Sequence, residues 1–366
     1  MIAMFDEAYR GKRVLLTGHT GFKGSWLALW LSHLGARLYG YSLPPLEPSH
    51  YALSGVQKLF AKERLADIGD YTALESALQE AKPEVIFHLA AQPLVRQSYQ
   101  DPLGSFATNA LGVANVLNAC RKLESVRAIV IVTTDKVYEN KEWLYGYREC
   151  DALGGYDPYS ASKACAEIIT DSMRRSFFHP ESYGASGDKG HSVLIATARA
   201  GNVIGGGDFS CDRLLPDLVR AARASGKAHI RSPQATRPWQ FVCESLQGYL
   251  LLGQALLAGR IECASSFNFG PSGEQILRVE QVLELAGQEW EQIAYTIEPD
   301  SSLHESGLLA LDSSKARQLL GFSPLWSAAE AIQKSVAWYR AWSEKGTILS
   351  HKHLGEYMDK IRNTNE

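Results

Sequence analysis

The chain has 366 residues, 45% of them hydrophobic and 21% charged, with a formal net charge of -3. That length and balance suit a soluble α/β unit or two linked domains, and the near-neutral charge gives no electrostatic reason to expect a nucleic-acid or membrane partner. The opening "MIAMFDEAYRGKRVLL" lacks the pattern of a signal peptide and nowhere do about 18 apolar residues run together, so the expected location is the cytoplasm. Cys120, Cys150, Cys165, Cys211, Cys243 and Cys263 form no C-x-x-C pair and no ligand-like spacing with histidine. They read as reduced thiols, and no metal is expected.

From the N-terminus, "KRVLLTG" reads as a short strand, "FKGSWLALWLSHLG" as a helix closed by Gly35, and "ARLYGYS" as a second strand. "ERLADI" is a strand ending in Asp67, and Asp70 stands where it would cap the helix "DYTALESALQEA". "EVIFHLA" is a buried strand, "SFATNALGVANVLNACRKL" a helix, and the β-branched run from Ala128 to Val132 a strand without alternation. A helix follows from about Asp157, and "HSVLIATARAGNV" adds one more strand. This β-then-α order predicts an α/β fold with a Rossmann-like doubly wound parallel sheet.

After Gly205 the pattern changes. "GGGDFSCDRLLPD" is a glycine-rich loop, and the prolines of "HIRSPQATRPWQFV" exclude a central strand. The later half is expected to build a smaller mixed α/β lobe over the strand ends. The expected division is 1–200 plus about 238–270 for the sheet domain, and about 201–237 plus 271–366 for the lobe.

"LLTGHTGFKG" sets Gly18, Gly21 and Gly24 between the first strand and the first helix. Glycines there allow a tight turn, close approach of backbone amides to a diphosphate, and close helix–strand packing. An ordinary βα turn could carry the same residues, but the repeated βα units behind it favour a dinucleotide. The acid expected about twenty residues on to bind a ribose is absent: Ser42 ends the second strand, and Glu47 lies farther along. NAD against NADP stays open on these residues, although no arginine follows the strand to hold a 2′-phosphate.

"TTDKVYEN" puts Thr134, Asp135 and Lys136 at the carboxyl end of a buried strand, where ligands bind in such sheets. A strand-to-loop turn with local hydrogen bonds would look alike. "YSASK" then places Tyr159 and Lys163 on one face of the following helix. An ammonium beside the phenol favours the phenolate, so the pair can take a proton from a substrate hydroxyl while hydride leaves its carbon.

Together "TGHTGFKGSW", "HLAAQPLVRQSY", "TTDKVYEN", "YSASK", "RAGNVIGGGDF" and "TRPWQFV" resemble the extended short-chain dehydrogenase/reductases, and within them the CDP-glucose 4,6-dehydratases, from about residue 10 to about 345. The resemblance implies bound NAD, a CDP-hexose substrate and a cycle that returns its own hydride. It implies that Tyr159 takes the 4-hydroxyl proton with Lys163 holding the phenolate, that Thr134 bonds the same oxygen, and that Asp135 protonates the leaving 6-hydroxyl. Lys136, where related dehydratases carry a carboxylate, is implied as the carbon 5 base or as a cation stabilising the enolate. By the same resemblance Gly18, Gly21, Phe22, Lys23, Gly24, Asp67, Ile68, Leu89, Ala90, Ala91 and Thr108 border the cofactor with Tyr159 and Lys163. Gln92, Arg96, Asn202, Arg213, Leu214, Arg237 and His304 would hold the nucleotide sugar. Asp67 could equally be a helix or turn cap, and Gln240 departs from the histidine usual in the family. The resemblance further implies a homodimer or tetramer built on a four-helix bundle, and a deoxysugar bound for cell-surface polysaccharide such as lipopolysaccharide O-antigen. A sugar nucleotide 4-epimerase, another 4,6-dehydratase, or a non-catalytic NAD-sensing or scaffold protein are the rival readings.

Overall fold

Val85–His88 and Ala128–Val132 are buried along their whole length, because apolar side chains on both faces of these strands need a helical layer on each side. The computed structural model describes residues 4–185, 190–271, 276–298 and 308–364. Its sheet holds β1 (Arg13–Thr17), β2 (Arg37–Ser42), β3 (Phe60–Leu65), β4 (Val85–His88), β5 (Ala128–Val132), β6 (Leu194–Ala200) and β7 (Ser266–Phe269). The spatial order is β7-β6-β5-β4-β1-β2-β3, and every pairing is parallel. The order reverses between β1 and β4, which opens a crevice at the carboxyl ends of those strands.

On one face Val130 and Phe87 join a core with Trp26, Trp30 and Leu31 of α1 (Phe22–His33). On the other, Ile86, Ile129 and Ile131 meet Leu74 and Leu78 of α2 (Tyr71–Ala81), Val113 and Val116 of α3 (Gly112–Cys120), and Ala166 of α4 (Pro158–Phe177). Caps fall where the residue types put them. Asp70 accepts from the Ala73 amide, and Asp157 caps α4 by accepting from the Ser160 amide. Gly35 follows α1 at φ +77°, a left-handed geometry suited to glycine.

The structure refines the predicted elements. β3 stops at Leu65, so Asp67 lies in the following turn, where its Oδ1 accepts from the Gly69 amide at 2.7 Å. The stretch "SFATNALGVANVLNACRKL" is not one uniform helix: a π turn over Ala107–Leu111 separates Pro102–Phe106 from α3. Asn109 within that turn braces the loop after β4, accepting from the Gln92 amide at 2.9 Å and donating to the Gln92 carbonyl at 3.0 Å.

Past β6 the chain forms α5 (Leu214–Arg223), and the proline-containing stretch contributes only to short two-stranded pairs. Thr236–Pro238 pairs antiparallel with Ile276–Arg278, and Ala228–Ile230 parallel with Tyr295–Ile297. Between these pieces α6 (Val242–Leu257) packs on the sheet, and β7 extends it beside β6. The chain ends with α7 (Ala328–Lys345) and α8 (Ser350–Thr364). No helix among the described residues is long and apolar enough to cross a membrane.

Glu244 of α6 ties these last helices down. Its carboxylate accepts from the Leu325 amide at 3.0 Å, from the Trp326 amide at 2.7 Å and from the Tyr357 hydroxyl at 2.6 Å. Burial outweighs those donors and pushes the carboxyl up to about 7. A carboxyl raised in the folded state favours folding while protonated, so this contribution is full below about 4.5 and is lost as pH rises through about 7. The size is on the order of 3 kcal/mol. Thermal melting across that range is therefore expected to show a downward slope with pH that Glu244→Gln flattens; equal slopes in both proteins would contradict it.

Candidate active site

The crevice at the strand ends deepens into a cavity of about 1060 Å³, large enough for a dinucleotide beside a second ligand. One wall is the β1–α1 loop. Gly18 holds φ +71°, and a Cβ there would lie 2.7 Å from the Ala90 amide nitrogen, so only glycine lets the loop approach the β4 end. No side chain caps α1 at Gly21, which leaves its first-turn amides facing the cavity as an anion site. Ser42 is buried at 2.7 Å from Thr20 Oγ1, whose own hydroxyl donates to the Leu43 carbonyl. Ser42, Glu47, Asp67 and Ile68 border the same end. These features fit a dinucleotide: an uncapped helix terminus for its diphosphate and polar oxygen acceptors for a ribose.

The catalytic candidates converge at the other end. Thr134 donates to Asp135 Oδ1 at 2.9 Å and accepts from the Lys136 amide at 3.3 Å, which folds the three residues into a single turn. Asp135 Oδ2 is buried without a hydrogen-bond partner among the described residues, and a Cβ at Gly201 would fall on it. Gly201 therefore has to be glycine for Asp135 to stand where it does. The half-buried Lys136 also lines the cavity, and its ammonium has no partner among the described residues.

Tyr159 opens α4 and is fixed from behind: its amide donates to Ser98 Oγ at 3.0 Å. Burial pushes its phenol up to about 12, against the opposing effects of the Thr134 hydrogen bond and the Arg213 charge. Lys163, one turn on, donates to the Val132 carbonyl at 3.1 Å. Burial pulls its ammonium down to about 8, with the Glu167 carboxylate working the other way. Lys23 reaches from the glycine loop to within 3.3 Å of the Tyr249 hydroxyl, and burial with the Arg213 and Lys163 charges brings it down to about 7.

Gly18, Gly21, Phe22, Lys23, Gly24, Asp67, Ile68, Leu89, Ala90, Ala91, Thr108, Thr134, Asp135, Lys136, Tyr159 and Lys163 all line this cavity, as do Arg96, Asn202, Arg213, Leu214 and Arg237. Gln92 does not: its side chain turns into its own loop, donating to the Leu94 carbonyl at 3.0 Å and to Ser105 Oγ at 2.9 Å. His304 lies outside the described residues. Gln240 is buried beneath the site, donating to the Gly201 and Phe269 carbonyls at 2.9 and 3.2 Å, and so braces the turn that carries Asn202. Sequence reasoning missed Ser98, Asn109, Gly201 and Tyr249. Ser98 and Gly201 stand inside the motifs "HLAAQPLVRQSY" and "RAGNVIGGGDF", and Asn109 inside the expected helix "SFATNALGVANVLNACRKL", but no local pattern marked their partners. Among the described residues no group of three or more His, Cys, Asp or Glu side chains could hold a metal ion.

Residues 15–335 match the family described as GDP-mannose 4,6 dehydratase. The chain belongs to that family. Over 97% of its length it is 41% identical to a CDP-glucose 4,6-dehydratase of Salmonella typhimurium, covering 99% of that protein. A dTDP-glucose 4,6-dehydratase of Xanthomonas campestris is 26% identical over 89% of this chain and 92% of its own. Among solved structures, a UDP-glucose-4-epimerase of Stenotrophomonas maltophila with bound NAD superposes with a TM-score of 0.77 over 91% of this chain and 99% of that one, at 20% identity. At that identity the likeness speaks for the fold alone.

The Lys163 geometry gives a pH expectation for this dehydratase-family chain. An ammonium lowered to about 8 is present below that pH and lost above it. The ratio kcat/KM should fall as pH rises through about 8, and Lys163→Arg, whose guanidinium stays charged, should move that limb upward while lowering the plateau. An unmoved limb in the arginine variant would assign the titration to another group.

Proposed function

We propose that the protein is a CDP-glucose 4,6-dehydratase, converting CDP-D-glucose to CDP-4-keto-6-deoxy-D-glucose and water. The observation that carries this reading is the adjacent pair Asp135 and Lys136 at the β5 end, in the same cavity as Tyr159 and Lys163. Removing hydride at carbon 4 asks only for a base at the 4-hydroxyl. Eliminating water across carbons 5 and 6 asks for a second base and an acid, and a 4-epimerase needs neither.

The β1–α1 loop and the β4 end would hold NAD, which when bound would supply hydride transfer, accepting at carbon 4 and returning it to carbon 6. Tyr159 takes the 4-hydroxyl proton. Its phenol is too weakly acidic alone, and the Lys163 ammonium stabilises the phenolate it must form. Thr134 hydrogen-bonds the same substrate oxygen. With a ketone at carbon 4 the carbon 5 hydrogen is acidic; Lys136 takes it, and Asp135 gives its proton to the departing 6-hydroxyl, which leaves as water. Lys136 then gives its proton back to carbon 5 as carbon 6 accepts the returned hydride. Tyr159 ends with the proton of the 4-hydroxyl and Asp135 without its own, and exchange with solvent restores both. Asn202 and Arg237 hold the diphosphate, with Arg96, Arg213, Leu214 and His304 around the sugar and nucleotide. In this reading 1–200 with about 238–270 carry the cofactor, and about 201–237 with 271–366 carry the nucleotide sugar.

The enzyme works in the cytoplasm as a homodimer, making a deoxysugar for cell-surface polysaccharide. Support for the dimer comes from Leu103, Leu111, Ile168 and Phe177, which stay exposed on the helices of the α3–α4 layer. Leu111→Lys with Ile168→Lys should halve the mass measured by light scattering, whereas an unchanged mass would place the interface elsewhere.

The deciding experiment incubates the protein and NAD separately with CDP-glucose, dTDP-glucose, GDP-mannose and UDP-glucose, with products identified by mass spectrometry and NMR. Loss of one water from CDP-glucose alone is expected. Isomerisation without loss of water would make the protein an epimerase. In the same assay Lys136→Met should slow turnover by about 100-fold or more and abolish exchange of the carbon 5 hydrogen with solvent. Normal exchange in that variant would leave Lys136 as an electrostatic stabiliser of the enolate.

A further inference from the structure

Beneath the catalytic turn lies a buried polar network that the reaction scheme does not use. Glu167 sits one turn after Lys163 on α4, almost fully buried with Arg199 of β6. Its Oε1 accepts from Thr133 Oγ1 and from Arg199 Nε at 2.9 Å. Its Oε2 accepts from Arg199 Nη2 at 2.9 Å, Thr197 Oγ1 at 2.6 Å and Ser266 Oγ at 3.2 Å. Arg199 Nη1 in turn donates to the Tyr138 hydroxyl at 2.7 Å, and that hydroxyl donates to Asn268 Oδ1 at 2.7 Å.

Thr133 and Tyr138 flank Thr134, Asp135 and Lys136, so this one ion pair grips both ends of the turn. A buried pair of this kind is rarely needed for stability, since well-packed apolar residues do as well, and setting register is among its best-attested uses. The oxidation pair has separate anchors: Tyr159 through Ser98, Lys163 through Val132, and the α4 start through Asp157 and the Asn109 to Ser162 hydrogen bond at 2.9 Å.

We propose that the Glu167–Arg199 pair positions the elimination groups: its tethers to Thr133 and Tyr138 set Asp135 and Lys136 against the substrate, and oxidation at carbon 4 does not depend on those two tethers. The inference rests on the dehydratase reading above and assigns a task to residues outside that scheme.

Glu167→Gln would leave Arg199 charged and under-paired in the core and could fail for that reason alone. The outer hydroxyls give cleaner variants. Thr133→Val and Tyr138→Phe each remove one tether and leave the ion pair intact, and the double variant removes both. Three quantities are measured against wild type with CDP-glucose: the single-turnover rate of carbon 4 hydride transfer, the steady-state level of reduced-nicotinamide absorbance, and solvent-deuterium incorporation at carbon 5. Melting temperature is recorded alongside.

The double variant is expected to transfer the first hydride within about twofold of wild type, to incorporate deuterium on the order of tenfold more slowly, and to hold more of its nicotinamide reduced during turnover. A lowered melting temperature with all three quantities unchanged would overturn the proposal and leave a purely structural pair. Equal slowing of both steps would overturn it too, making the network a support for the whole site. Absence of wild-type turnover would instead refute the dehydratase reading, and this inference with it.

Discussion

A fully parallel sheet cannot be made from hairpins. Each strand must be followed by a connection that crosses back over a face before the next begins, and that requirement brings every strand's carboxyl end to one edge. Here it gathers the loops after β1, β2, β4, β5 and β6, which are far apart in the chain, around one cavity. The order β7-β6-β5-β4-β1-β2-β3 then sends the connections after β1 and β4 to opposite faces of the sheet, leaving a crevice over those strand ends. The glycine loop, the Thr134–Lys136 turn and the loop carrying Asn202 share one cavity because the strands beneath them share a direction.

Inside that cavity burial opposes charge. Tyr159 is driven toward the neutral phenol, while Lys23 and Lys163 are driven toward neutral amines. Each is opposed by a specific neighbour: Thr134 and Arg213 for the tyrosine, Glu167 for Lys163, Asp135 and Asp208 for Lys23. Burial brings the two lysines nearer to titration at neutral pH but moves the Tyr159 phenol away from it, so the tyrosine ionises only with a change toward positive charge beside it. The nicotinamide cation is such a change, and its arrival favours the phenolate.

The comparisons separate what the fold supplies from what the residues supply. A UDP-glucose-4-epimerase at 20% identity shares the architecture with a TM-score of 0.77, and a shared fold does not by itself fix a reaction. In the proposed reading the distinction between isomerisation and loss of water falls to Asp135 and Lys136 at the β5 end. The close packing of Gly201 on Asp135, and the brace from Gln240 to the Gly201 carbonyl, show neighbouring backbone shaped around one carboxylate.

Local features were legible from the residues. Glycine spacing in "TGHTGFKG", the helical interval from Tyr159 to Lys163, the cap at Asp70, and the run of buried β-branched residues each depend on neighbours a few positions away. What tertiary structure alone decided involves partners distant in sequence. Gln92, which the family resemblance set among the residues around the nucleotide sugar, turns its side chain into its own loop, where Ser105 and the Asn109 turn supply its partners. Ser98 holds the amide of Tyr159 across 61 positions, and Ser266 reaches Glu167 across 99. Periodicity can say which face of an element is buried, but hydrogen-bond partners between elements are fixed only when the sheet order and helix packing bring their atoms within about 3 Å.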